Sequence, residues 1–111
     1  MESKELAAAL AEHLSSKKAK DIVMIDIAEK SSFADYFVIA TGTSDRQLGA
    51  LADEVEDKFA ELGIEPKSKD GRPDTGWILV DGGDVIVNLF TYNHSIFNFE
   101  AESFNNFIIF L

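Results

Sequence analysis

Residues 31–46 read SSFADYFVIATGTSDR, and this stretch decides the fold class. From Tyr36 to Thr41 both faces of an extended chain are apolar, which suits a central strand buried on both sides. Gly42, Thr43 and Ser44 then break the strand. Ser44, with Gln47 three residues on, has the capping-box pattern of a helix start. Beyond it Leu48, Leu51, Ala52, Val55, Phe59 and Leu62 recur at helical spacing over four turns. Gly63 fits the C′ position that closes such a helix. A buried strand running straight into an amphipathic helix is the mark of an α/β domain.

Working outward, residues 3–16 place Leu6, Leu10 and Leu14 four apart with alanines between them, an amphipathic helix. Ser15, Ser16, Lys17 and Lys18 end it with polar groups and cations suited to a helix C-terminus. Asp21–Ile27 is β-branched and apolar on both faces, a second central strand. Downstream, Ile64–Lys69 reads as a short edge strand kept from sticking by Lys67 and Lys69, and Gly71–Gly76 reads as a loop. Trp77–Asp81 and Asp84–Phe90 are two strands joined at Gly82-Gly83, a hairpin signal. The order is αββαβββ plus a C-terminal segment. The connection through the long helix fits a βαβ crossover from the second strand to the third. The expected architecture is one domain over residues 1–111, a mixed sheet of about five strands covered by helices. Residues 92–111 are harder to read: Ile96, Phe97 and Phe99 open either a short helix or an irregular segment. The apolar tail at 101–111, with Phe104 and 107–111, has to be buried or meet a partner.

The 111 residues, 46% hydrophobic and 27% charged, suit a single domain that buries a core. There is no cysteine, consistent with a reducing compartment. The N-terminal stretch mixes Glu2, Glu5 and Glu12 among its apolar residues, unlike a signal peptide. No run approaches the ~20 apolar residues of a membrane span. These features lead to the expectation of a cytosolic protein with no membrane partner. The net charge of −10 repels phosphate backbones, which disfavours nucleic acid as a direct partner and suits a basic protein. The same charge also serves plain solubility.

DIVMIDI, SSFADYFVIATGTSDRQ, ALADEVEDKFAELG and GWILVDGGDVIVNLF, in that order and spacing, resemble the ribosomal silencing factor (Iojap) family over roughly residues 4–100. The resemblance implies a small α/β protein with a nucleotidyltransferase-like fold, often a homodimer. It implies a cytoplasmic translation repressor that binds ribosomal protein fourteen of the large ribosomal subunit. Binding there sterically blocks joining of the small subunit, notably in starved cells.

An enzymatic alternative starts from the Gly42–Asp45 turn. A helix N-terminus offers free N–H groups to a phosphate, so the turn could serve a nucleotidyltransferase-like nucleotide-binding enzyme. Such enzymes also need paired carboxylates to hold two metal ions, and no Asp-x-Asp occurs. Asp45 in the first turn would repel the phosphate, so Gly42 for the bend and Ser44 for the cap explain the turn without a ligand. His13 and His94 sit in no nucleophile-elbow or metal-ligand spacing. No catalytic residue, cofactor or metal is therefore assigned.

Binding is the better candidate. On a strand Trp77, Leu79 and Asp81 share one face and Ile78 and Val80 the other. Trp77 at the strand start reads equally well as a core residue or as an interface hot spot. The resemblance tips it toward the partner surface, pairs it with Phe97, and makes Asp81, Gly82 and Asp84 the rim. Here the chain departs from the family: it has Ile96-Phe97 where a tyrosine usually ends the pair, and Asn93, His94 and Ser95 where basic residues usually precede it.

Overall fold

The structure, a computed structural model, describes residues 1–91 and the strand 108–110. Leu6, Ala7, Leu10, Ala11 and Leu14 form one buried stripe along helix α1 (Ser3–Ser16), as their spacing requires. A turn with Lys18 at φ 71° leads into β1 (Lys20–Asp26), whose pairing is irregular between Lys20 and Val23. β2 (Tyr36–Gly42) follows, buried at six of its seven positions. Ser44 caps helix α2 (Asp45–Glu61), accepting a hydrogen bond from the Gln47 N–H at 3.0 Å. The Gln47 side chain reaches back to Thr43 rather than to Ser44: its Oε1 accepts from the Thr43 N–H at 2.6 Å.

Helix α2 ends in a full Schellman motif. Gly63, at φ 76°, donates to the Ala60 carbonyl, and Ile64 donates to that of Phe59. Ile64 is therefore part of the helix cap and packs against the core, and the expected strand at Ile64–Lys69 starts later. β3 spans Ser68–Arg72, carries the chain past the expected loop start at Gly71, and is exposed throughout. A 3-10 turn at Pro73–Thr75 follows, then β4 (Trp77–Asp81) and β5 (Val85–Thr91). β6 (Ile108–Phe110), within the apolar tail, pairs with β1.

The sheet order is β3-β4-β5-β2-β1-β6. β2 lies parallel to β5, with Tyr36 opposite Val85 and Gly42 opposite Thr91; the other pairs are antiparallel. The expected crossover therefore does not set β3 beside β2. The chain passes along α2 to the far edge, and β3, β4 and β5 meander back. Composition explains the order. VIVNLF in β5 is apolar enough to lie beside the equally apolar β2 at the centre, while SKDGR in β3 tolerates an edge.

The two faces of the sheet differ. Helices α1 and α2 pack on one, where Leu48, Leu51, Val55 and Phe59 meet Val38, Ile78, Val80, Val87 and Leu89. Each such fully buried side chain contributes about 1.5–3 kcal/mol relative to exposure. The other face carries Val23, Ile25, Ile39 and Ile86 with Phe37, Leu79 and Phe90 around them, and no helix among the described residues lies on it. The expected helix cover is thus seen on one side among the described residues. Among the described residues no helix is long and apolar enough to cross a membrane.

Candidate functional site

The sequence alternation along β4 is realised. Ile78 and Val80 point into the helix-covered core, while Trp77, Leu79 and Asp81 face the helix-free side, each half-buried. Register then assembles the neighbourhood. Trp77 lies opposite Phe90, Leu79 opposite Asn88 and Asp81 opposite Ile86. One strand further on, Phe90 lies opposite Thr41 and Ile86 opposite Phe37. The result is an apolar surface graded along the strands, with Trp77 and Phe90 at one end and Phe37 and Ile86 at the other.

Trp77 is held from three sides. Gly76, at φ 77°, precedes it, and the Gly76 carbonyl accepts from the Thr91 N–H at 3.0 Å, clamping the start of β4 to the end of β5. Upstream, the Thr75 hydroxyl donates to the Arg72 carbonyl at 2.7 Å and closes the 3-10 turn. Gly71, at φ 85°, passes so close that a Cβ there would overlap the Trp77 carbonyl and press on its ring. Glycine is thus required for both conformation and clearance.

The hairpin residues sit elsewhere. Asp81 is four residues along β4 from Trp77, about 13 Å at the strand rise. Its Oδ1 accepts from the Gly83 N–H at 2.8 Å and its carbonyl from the Lys67 N–H at 2.7 Å, so Asp81 organises the turn. A Cβ on Gly82 would overlap the Phe59 ring of α2, so Gly82 belongs to the packing under the helix. Asp84 is exposed, and its carbonyl accepts from the N–H groups of Asp35 and Tyr36. The structure therefore brings Trp77, Leu79 and Phe90 together and sets Asp81, Gly82 and Asp84 at the opposite end of the hairpin. Phe97 lies outside the described residues. Near that lower end, on the helix side, the Tyr36 phenol is pushed above its ordinary pKa by burial and by the Asp26 carboxylate that its hydroxyl bonds.

At the Gly42–Asp45 turn several of the groups that a helix start could offer an anion already bond within the chain. Gln47 Oε1 occupies the Thr43 N–H and hydroxyl, Ser44 Oγ occupies the Gln47 N–H, and the Leu48 N–H bonds the Ser44 carbonyl. Packing accounts for Gly42, since a Cβ there would lie 3.2 Å from the Leu48 backbone nitrogen.

Sequence reasoning missed Phe33. It is exposed by 66% and stands at the lower end of the helix-free face in the β1–β2 loop. Its signal was an aromatic residue in an otherwise polar loop.

A family model described as "Ribosomal silencing factor during starvation" matches residues 1–95. The ribosomal silencing factor of Bacillus subtilis is 45% identical over 74 residues, which cover 67% of this chain and 63% of that protein. The chain thus spans slightly less than two thirds of that relative. A mouse protein named "Mitochondrial assembly of ribosomal large subunit protein 1" is 32% identical over 79 residues, 68% of this chain and 35% of its own length. A crystal structure of a Chromobacterium violaceum protein, 36% identical, aligns with a TM-score of 0.78 over 82% of this chain and 76% of that one. The chain belongs to the ribosomal silencing factor family.

Proposed function

We propose that this chain is a translation repressor that docks on the large ribosomal subunit through ribosomal protein fourteen and sterically prevents the small subunit from joining. The observation that carries the reading is the family match over residues 1–95. The helix-free face supports it. A half-buried tryptophan among apolar neighbours is the composition of an interface hot spot, and a chain of net charge −10 suits a basic ribosomal protein. On this reading Trp77 is the principal anchor and Phe97 a second one. Asp81, Gly82 and Asp84 bound the far end of the same surface, about four residues along β4 from Trp77, where the turn that Asp81 organises holds them. The action is occupancy, without catalysis, cofactor or metal, and takes place in the cytoplasm. The homodimer implied by the resemblance belongs to the same reading.

The test is sedimentation of the purified chain with isolated bacterial large subunits, followed by addition of small subunits. The wild type co-sediments and lowers the yield of joined ribosomes. Trp77→Ala binds at least about tenfold more weakly, as expected for loss of a hot spot, with its circular dichroism unchanged. Full binding by this variant removes Trp77 from the site, and a wild type that never sediments with large subunits removes the function.

A further inference from the structure

Phe33 is one of only two large hydrophobic side chains exposed among the described residues; the other is the terminal Met1. Its position is built. The Ser31 hydroxyl accepts from the N–H groups of Phe33 and Ala34 at 3.1 and 3.3 Å, the Ile27 carbonyl takes the Lys30 N–H, and Ala34 is buried beneath. A loop fixed at both ends of the ring holds Phe33 outward where local collapse would have hidden it. Beside it runs a largely apolar trough lined by Phe33, Phe37, Ile39, Leu79, Ile86 and Phe90, with Asn88 as its polar member. A second hollow, with Ile27, Lys30 and Ser31 on its walls, continues it past Phe33. At this end of the sheet stand Asp81, opposite Ile86, and the exposed Asp84, whose carbonyl accepts from the Asp35 and Tyr36 N–H groups.

We propose that the Phe33 trough is a further anchor point of the same interface, beyond Trp77 and Phe97, taking an aliphatic or aromatic side chain that a basic partner surface presents next to lysine or arginine. The inference rests on the proposed docking to the large subunit and extends it from Trp77 to the opposite end of the face. Charge selects the occupant. A second copy seated on this face would bring another net charge of −10 against Asp81 and Asp84, so the homodimer is assigned a different surface, whereas a basic surface is attracted to this one. The length of the trough selects the mode: anchors at both ends of a face fix orientation as well as affinity. A partner held at Trp77 alone would be free to pivot.

The experiment titrates isolated bacterial large subunits against wild type, Phe33→Ser, Phe33→Leu and Trp77→Ala, with light scattering of each free protein at the same concentration. The expected result is that Phe33→Ser weakens binding at least about tenfold, the loss typical of an anchor residue, and Phe33→Leu recovers most of it. Thermal midpoints stay equal, because the ring is exposed. Binding lost in Trp77→Ala but unchanged in Phe33→Ser overturns this inference and leaves the docking function standing. Absence of binding by the wild type overturns both. A wild-type dimer that Phe33→Ser converts to monomer overturns the choice of occupant in favour of a second copy.

Discussion

The two faces of the sheet draw on the same strands and the same residue types, yet they end in different states. On one, helices α1 and α2 lie over Val38, Ile78, Val80 and Leu89, and their facing side chains are fully buried. On the other, Phe37, Leu79 and Phe90 remain half-buried and Phe33 stands out in solvent. The alternation of β4 makes the contrast within five residues, with Ile78 and Val80 committed to the core and Trp77 and Leu79 left at the surface. The difference teaches where substitutions in this chain divide. Those under the helices act on stability, and the proposed docking makes those on the other face act on association.

The sharpest way to break that division is Phe59→Ala. The ring is fully buried and also fills the space above Gly82, so a loss of about 3–5 kcal/mol is expected in urea denaturation, a large share of a small domain's stability. A much smaller loss would mean that the helix-covered face is not the stability core. Gly71→Ala comes next and straddles both faces. A side chain at φ 85° that meets the Trp77 backbone costs about 1–3 kcal/mol. It also displaces the indole, so tryptophan fluorescence shifts and large-subunit binding falls with it; unchanged fluorescence would show that Gly71 does not position Trp77. The smallest effect belongs to Ser44→Ala, which removes the cap of α2 and lowers stability by about 1 kcal/mol. Binding to large subunits stays as in wild type, and calorimetry with nucleoside triphosphates and magnesium shows no heat that the substitution abolishes. A triphosphate signal lost in this variant would return the Gly42–Asp45 turn to candidacy as a site.

What the sequence made legible follows from how local each cause is. Leu6, Leu10 and Leu14 and the stripe from Leu48 to Phe59 act through their own helices, and both helices fall where the spacing puts them. The face of Trp77 follows from period two alone. β3 was misplaced because SKDGR carries no apolar alternation. It is a strand only because β4 pairs with it, while the more strand-like Ile64 is recruited by the helix cap. The β2–β5 partnership was hidden for the same reason, being decided by competition among distant strands. At the candidate site, Trp77 was legible and its surroundings were not. Gly71 signals its role only through φ and clearance, and the distance from Trp77 to the hairpin rim depends on strand length.

The parallel partnership of β2 with β5 bears on how the molecule comes into being. Tyr36 meets Val85 and Gly42 meets Thr91, so the centre of the sheet joins segments about fifty residues apart. Loop closure has to be completed before that pairing gives any return, which makes such contacts slow. During synthesis, helix α1 and the β1–β2 pair emerge first and wait with the free edge of β2 unsatisfied until β5 has cleared the exit tunnel. Nascent chains of this protein therefore expose an apolar strand edge while the intervening stretch of about fifty residues is made. Demand on holding chaperones should peak before Val85–Thr91 is released and drop once it has paired.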